Sequence, residues 1–436
     1  MINGVNAMRT IITQCLNNAS PARATLSPAP AGRSGSLSAG QRLMISIEYR
    51  FYHCVADDSY WTDAAFDNGF WQRYLSAFSH IGIIARASCI EAPEPGWKRV
   101  DSERVHFHAL PFYLGPLGFL RRFFSLTRTL DRLCTDQAAW IIRAPSILGI
   151  LLYRRLEQRG IPFHLEVVGD PADAFAAHVI DHPLRRFFRW FFTRELRRQC
   201  AAARGVAYVT RTRLQQRYPC APEAFSAAYS SIELPQAQVV NTLPPPRAGR
   251  ELRLLFIGSL AQRYKGLHVL LEALRRCREQ GWHFSLDVLG DGRFRPELVQ
   301  QAEALGLEAQ VHFHGMVAAR AGVIGYLDRA DLFVLPSLTE GLPRVVIEAM
   351  ARGIPCVATR VGGIPELLAE EDMVPPNDAA ALAGRIMALA QCPDLRTRQA
   401  RRNLVTVQDY LDSVLARRRT GFYQRIATGS GIPQAG

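Results

Sequence analysis

An alternation of two segment types constrains this chain more than any other feature. Short apolar runs at 43–48, 80–85, 139–142, 163–168 and 206–210 are each followed by a longer amphipathic stretch. Runs this short and uniformly apolar read as strands buried on both faces, and the stretches between them as crossover helices over a parallel sheet. The alternation stops at 241–250, Asn-Thr-Leu-Pro-Pro-Pro-Arg-Ala-Gly-Arg. Three prolines can enter neither a helix interior nor a central strand, so this segment reads as a linker. Beyond it the pattern resumes, with strands expected at 252–257, 284–289, 311–314, 332–336 and 356–358 and helices over 267–280 and 343–352. The expected fold class is α/β: two Rossmann-like domains facing across a cleft, with ligand at the carboxyl ends of the strands.

On this reading the 436 residues divide into an amino-terminal domain at 43–243, a linker at 244–250 and a carboxyl-terminal domain at 251–395. Helices and a tail at 396–436 are expected to return to the first domain. Residues 1–42 are rich in Ala, Ser, Pro and Gly and read as a disordered tail, or as the product of a start codon set too early, with Met44 the alternative start. Hydrophobic residues at 48% and charged residues at 21% exclude a mostly disordered chain, a collagen-like repeat and a disulfide-stapled scaffold. No run approaches the roughly 18 apolar residues of a membrane-spanning helix, and the start lacks the pattern of a secretion signal. Nine cysteines without C-x-x-C or zinc spacing read as scattered thiols in a reducing cytoplasm.

The net charge of +13 admits nucleic acid, an anionic membrane surface or phosphorylated substrates as partners. Only two of the 52 basic residues are lysines, Lys98 and Lys265, so a general preference for Arg accounts for most of the balance. A retained lysine stands out, because it presents a compact point charge that Arg does not copy.

The most informative stretch runs from Leu335 to Met350, Leu-Pro-Ser-Leu-Thr-Glu-Gly-Leu-Pro-Arg-Val-Val-Ile-Glu-Ala-Met. A buried strand runs into a loop, and a helix is expected to begin near Pro343, whose free amides favour an anion such as a diphosphate. Glu340 stands just ahead of that helix, at the mouth of the crevice, and Glu348 lies along it, where a carboxylate could accept two sugar hydroxyls. By spacing alone the pair reads equally well as a capping and a solvated glutamate. Two further loops on the same edge add to it. One is Gly258-Ser259-Leu260-Ala261-Gln262-Arg263-Tyr264-Lys265-Gly266, and the other is Val361-Gly362-Gly363-Ile364-Pro365-Glu366. Glycines let backbone approach a phosphate closely, and Lys265 adds a charge.

Taken in order, these motifs resemble the donor-binding half of retaining glycosyltransferases of the GT4 family, which have the GT-B fold. Glu340 and Glu348 fit the E-x7-E motif, Lys265-Gly266 the phosphate loop, Gly290-Asp291-Gly292 the nucleotide-side loop, and Gly362-Gly363-x-x-Glu366 the closing loop. The resemblance covers about 252–392. It implies that Lys265 neutralises the leaving diphosphate, that Glu340 contacts the donor sugar near its reacting carbon, and that Glu348 holds the ribose hydroxyls. The amides of Gly362 and Gly363 would line the phosphate or sugar, with Gly341, Leu342 and Pro343 completing the donor site. It also implies a UDP- or GDP-linked sugar, front-face substitution without an enzyme nucleophile, no metal and no other cofactor. The family's usual Arg after the phosphate-loop glycine is replaced by Ser259, and Arg263 in the same loop is the candidate substitute.

The first domain matches less well: in place of a glycine-rich loop after its first strand stand Glu48–His53 and Asp57–Thr62. Arg143 and Asp170 end two expected strands and are the acceptor-side candidates. By resemblance Asp170 is the best match to the family's acid near the sugar, with a turn or helix cap before Pro171 as its plain alternative. Arg143 is expected either on an acceptor phosphate or on a carboxylate. His312 and His314 share one strand face and read as structural, since no third metal ligand lies nearby. The segment His182–Arg198 and the shorter Gly118–Phe124 are basic and aromatic. Each is either a domain helix packing its rings on the sheet or a helix that lies on an anionic membrane. The expected function is transfer of a sugar from a nucleotide sugar to a glycan or lipid-linked glycan, in the cytoplasm or peripherally on its membrane face. Two alternatives remain, a nucleotide-sugar-binding protein without turnover and a nucleic-acid binder, for which no reader motif is present.

Overall fold

The computed structural model describes residues 41–63, 66–135, 137–176, 183–243, 251–317 and 320–429. The expected tail before residue 41 and the linker at 244–250 lie outside them. The first domain runs β1 (Arg42–Cys54), β2 (Ser59–Thr62), α1 (Asn68–Gln72), β3 (His80–Ile90), β4 (Lys98–Arg99), β5 (Val105–Leu110) and α2 (Gly115–Leu133). It continues through β6 (Ala138–Ala144), α3 (Ile147–Gln158), β7 (His164–Val167), α4 (Pro171–Ala174), α5 (Arg185–Ala202), β8 (Gly205–Tyr208), α6 (Arg213–Arg217) and β9 (Phe225–Ala228). Seven strands pair in parallel in the order β5-β3-β1-β6-β7-β8-β9, and the short β2 and β4 add antiparallel pairs at one end of β1.

The second domain runs β10 (Glu251–Ile257), α7 (Leu267–Glu279), β11 (His283–Leu289), α8 (Arg295–Ala304), β12 (Val311–Gly315), α9 (Arg320–Leu327) and β13 (Leu332–Leu335). Then follow α10 (Arg344–Ala351), β14 (Cys356–Thr359), β15 (Met373–Val374), α11 (Ala379–Gln391), α12 (Pro393–Val407) and α13 (Asp412–Thr428). Its six strands are all parallel in the order β12-β11-β10-β13-β14-β15. The order reverses between β10 and β13, so the crevice outside their carboxyl ends is the ligand position of a doubly wound sheet. The apolar runs are legible for a physical reason: Leu254, Leu286, Phe333 and Val357 are fully buried between helix layers.

The last helix crosses back. Tyr423 of α13 is buried against the first domain, and the Phe422 ring lies tilted 5.2 Å from that of Phe225 in β9. Two expected bounds change. The first strand, expected at 43–48, continues to Cys54 and pairs with β2, Tyr52 opposite Trp61. The helix expected from Pro343 begins at Arg344, because Pro343 keeps an extended ψ of 111° and serves as its N-cap.

Candidate active site

Three loops at the carboxyl edge of the second sheet are locked together by backbone contact. Gly258 follows β10 and donates its amide to Leu289 of β11, while Leu260 donates to Asp291 in the Gly290–Gly292 turn. Gly266 has φ +74°, and a Cβ there would lie 1.9 Å from the carbonyl oxygen of Pro336, just past β13. Gly362 has φ +54°, and its Cβ would lie 1.9 Å from the Glu340 carbonyl. Only glycine satisfies both the left-handed backbone and this approach. Through these contacts the phosphate-loop candidate, the Glu340 loop and the Gly362–Gly363 loop form one floor. Gly290 and Gly292 belong to the same cluster, their positions packing on Gly258 and Ala261.

Lys265 and Glu340 meet on that floor. The Lys265 ammonium donates to Glu340 Oε1 at 2.6 Å, and the Ser337 hydroxyl donates to the same oxygen at 2.6 Å. The lysine side chain is 15% exposed and the glutamate 8%, so the pair sits in the crevice wall rather than in open solvent. The Lys265 charge also faces the Tyr264 ring at 5.2 Å. Glu348 is half-buried on α10, about one turn beyond its first residue, Arg344. Leu342 is likewise half-buried, and Gly341 abuts the carbonyl of Val168 in the first domain, 3.1 Å from where a Cβ would stand. The donor-side candidates thus converge and reach the facing domain.

Several candidates turn out to be used otherwise. Arg263 pairs with Glu297 of α8 and lies over Phe294 at 5.4 Å, so it points along the helix rather than standing in for a second phosphate cation. Ser259 accepts the Ala261 amide at 3.3 Å. Glu366 does not point into the crevice. Its carboxylate crosses to the first domain and accepts the backbone amides of Arg211 at 2.5 Å, Thr212 at 3.1 Å and Arg213 at 2.9 Å, together with the Thr212 hydroxyl at 3.2 Å. It is the N-terminal cap of α6, supplied by the other domain.

Asp170, expected as an acceptor-side catalytic acid, is a buried cap. It accepts the Ala172 amide at 2.9 Å and the Tyr218 hydroxyl at 2.5 Å, and it pairs with Arg217. Both oxygens are engaged, leaving no acceptor-facing carboxylate. Arg143 pairs with Glu166, not with an open anion site. Burial works against its charge, and Glu166 more than restores it, so the guanidinium titrates above its usual range. Around Glu166 the structure gathers hydroxyls that sequence reading missed: Tyr74 at 3.0 Å, Tyr229 at 3.0 Å and Tyr423 at 3.0 Å all donate to it. Burial and then the Glu166 charge push Tyr229 and Tyr423 well above the ordinary phenol value. The available signal was one acid inside the otherwise apolar strand His-Leu-Glu-Val; its partners lie too far along the chain to be read.

His314 bonds Asp287 at 2.6 Å, and no group of three metal-ligating side chains occurs among the described residues. The basic aromatic segment forms α5, with Phe191 and Leu196 buried and Arg186, Arg189 and Trp190 exposed. It therefore packs on its domain and still presents a basic outer face. Among the described residues no helix is long and apolar enough to cross a membrane.

Residues 251–392 match the family described as glycosyl transferases group 1. The chain is 25% identical over 332 residues to protein CapJ of Staphylococcus aureus, covering 74% of this chain and 81% of that one. It is 35% identical over 185 residues to a putative colanic acid biosynthesis glycosyltransferase, WcaL, of Escherichia coli, but spans only 44% of that protein's length and 40% of its own. Its fold is similar to that of Anabaena HepE, solved in complex with UDP, with a TM-score of 0.57 at 16% identity over 89% of this chain and 98% of that one.

Proposed function

We propose that this chain, which has the GT-B fold and carries a glycosyl transferases group 1 domain at 251–392, transfers a sugar from a nucleotide sugar to a hydroxyl of a glycan or lipid-linked glycan in surface polysaccharide or glycolipid assembly. One observation carries the reading most strongly. The only lysine of the second domain stands 2.6 Å from Glu340, on a floor of glycine loops at the switch point of a doubly wound sheet. That is an anion-binding charge beside a carboxylate, positioned where a diphosphate and its sugar would lie.

On this proposal the donor diphosphate takes over the Lys265 ammonium and lies against the backbone of the Gly362–Gly363 loop, and Glu340 turns to the sugar. The acceptor hydroxyl attacks the anomeric carbon from the face the diphosphate leaves. The carbon–oxygen bond to phosphate breaks with its electron pair on the phosphate, which takes the hydroxyl proton, and configuration is retained. Charge neutralisation by Lys265 and backbone amides makes the reaction metal-independent. Glu348 holds the ribose hydroxyls. The basic face of α5 adds an anionic membrane surface as a partner, and nucleic acid is not one.

The test is nucleoside diphosphate release from UDP- and GDP-sugars in the presence of membrane-lipid extract, with and without a chelator, for wild type and Lys265→Ala. Acceptor-dependent release that survives chelation and falls at least a hundredfold in the variant supports the proposal. Release that requires added metal, or no loss in the variant, overturns that mechanism. A second reading, binding without turnover, is favoured by Ser259 and by the engagement of Arg263 with Glu297, which leave Lys265 as the one cation of the loop turned to the site. Nucleotide binding without any release would select it.

A further inference from the structure

Between α4, α5 and α6 of the first domain lies an open pocket of about 610 Å³. The spacing of α5 sets its wall: Arg186, Arg189, Arg194 and Arg197 all fall on one side of a helix of 3.6 residues per turn. Phe191, Glu195 and Gln199 take the opposite, buried side. Arg198 and Arg217 of α6 complete the wall, and no acid lines it.

The protein neutralises only part of this charge. Arg217 pairs with Asp170 and, at 2.7 Å, with Asp173, while Arg198 pairs with Glu195 at 3.4 Å. Arg194 lies over the Trp190 ring at 5.4 Å, and Arg197 Nε donates to the Arg217 carbonyl at 3.3 Å. Among the described residues no acid pairs with Arg186, Arg189, Arg194 or Arg197. Elsewhere the chain answers its helical arginines: on α7, Arg275 pairs with Glu272 and Glu279, and Arg276 with Glu272. Four guanidinium groups along one wall without such partners repel one another, and an anion between them relieves that repulsion.

Arginine's planar fork donates in pairs to phosphate oxygens, and the row from Arg186 to Arg197 extends along about 16 Å of helix. A lone phosphate engages one end of such a row, whereas linked phosphoryl groups present more oxygens and more charge along it. We infer that this pocket binds a diphosphate, at a site separate from the donor crevice. Its place in the fold gives the site a use. Because α4 follows β7 and α6 follows β8, the pocket borders the carboxyl edge of the first sheet. The first amides of α6 are those that Glu366 of the donor domain caps. Resting on the proposed function, the diphosphate is the phosphorylated end of the acceptor, lipid-borne or soluble, held by the domain that receives it.

The test is calorimetric titration with inorganic pyrophosphate, on wild type and on Lys265→Ala, which lacks the cation of the donor crevice. Lys265→Ala is expected to keep one bound pyrophosphate per chain. Adding Arg189→Gln with Arg194→Gln should weaken that binding about 100-fold, since each charged hydrogen bond lost is worth about tenfold. Arg186→Gln with Arg197→Gln is an independent pair expected to weaken it too, and cooperative melting certifies that both pairs fold. Sulfate should bind at least tenfold more weakly than pyrophosphate. Farnesyl diphosphate, kept below its critical micelle concentration, separates the sources: tighter binding than pyrophosphate marks a lipid-borne diphosphate, and equal binding a soluble one. The inference is overturned if Lys265→Ala binds no pyrophosphate, if both glutamine pairs leave its affinity unchanged, or if sulfate binds as tightly. Binding to phosphatidylglycerol vesicles without any binding of pyrophosphate overturns it as well, in favour of a membrane-facing surface. Pyrophosphate held by these arginines in a protein that no nucleotide stabilises would sink the proposed transferase activity while leaving the site standing.

Discussion

Glu366 is the side chain whose removal should speak most directly to how the two domains are joined. Its carboxylate accepts three amides at 211–213 and one hydroxyl, all on the opposite domain. Losing an N-terminal cap costs about 0.5–2 kcal/mol. Because α6 is only five residues long, little of its stability comes from its own ladder, so the loss falls on the contact between domains. Converted to populations, Glu366→Ala should lower the ratio of joined to separated arrangements by roughly 2- to 30-fold. The neighbouring ion pair of Arg211 with Asp409 at 2.7 Å is present in both forms, so the difference between them reports the cap. Hydrogen exchange resolved to single amides is the assay. The amides of Arg211, Thr212 and Arg213 should lose protection in Glu366→Ala by that factor, while amides of β13 and β14 keep theirs. Unchanged protection at the three positions would refute the cap.

Other perturbations have definite expected outcomes. Glu166→Ala leaves the Arg143 guanidinium buried without its partner and should cost about 3–5 kcal/mol in a urea titration, far more than removal of the Tyr423 hydroxyl. Gly362→Ala should lower the melting temperature and weaken nucleotide binding, since φ is +54° and the new Cβ meets Glu340. In contrast, Gly384→Ala on α11, where nothing lies within 4 Å, should stabilise by about 0.5–1 kcal/mol. Burial lowers the His164 imidazole to about 4, opposed by its bond to the Trp140 carbonyl. The unfolded chain then binds the extra proton first, so stability should be complete above about pH 6.5 and fall towards pH 4, by about 3 kcal/mol in all. His164→Gln should flatten that slope in pH-dependent denaturation.

Physical reasons separate what the sequence disclosed from what it hid. Strands such as Leu254–Phe256 and Leu332–Leu335 are buried on both faces and so announce themselves as unbroken apolar runs. By contrast β9, partly exposed, and the two-residue β4 carry too little pattern to stand out. Donor-side candidates were legible because glycine, lysine and glutamate have local reasons to be there: left-handed backbone at Gly266 and Gly362, and one retained lysine. Acceptor-side candidates were not, because the fate of Asp170 depends on Arg217 and Tyr218, and that of Arg143 on Glu166. Glu366 illustrates the limit best. Its partners are backbone amides 153 to 155 residues away, which leave no mark in the sequence of side chains.

Thermal melting with UDP, GDP, ADP, CMP and TDP, on wild type and Glu348→Ala, tests the donor site most directly. Ligand at about 100 times its dissociation constant adds roughly 2.7 kcal/mol, enough to displace a melt by a few degrees. One nucleotide should raise the wild-type melting temperature, and Glu348→Ala should abolish that rise while melting cooperatively by itself. No rise with any of the five, or an equal rise in Glu348→Ala, would contradict the assignment of the second-domain crevice as a nucleotide-sugar site.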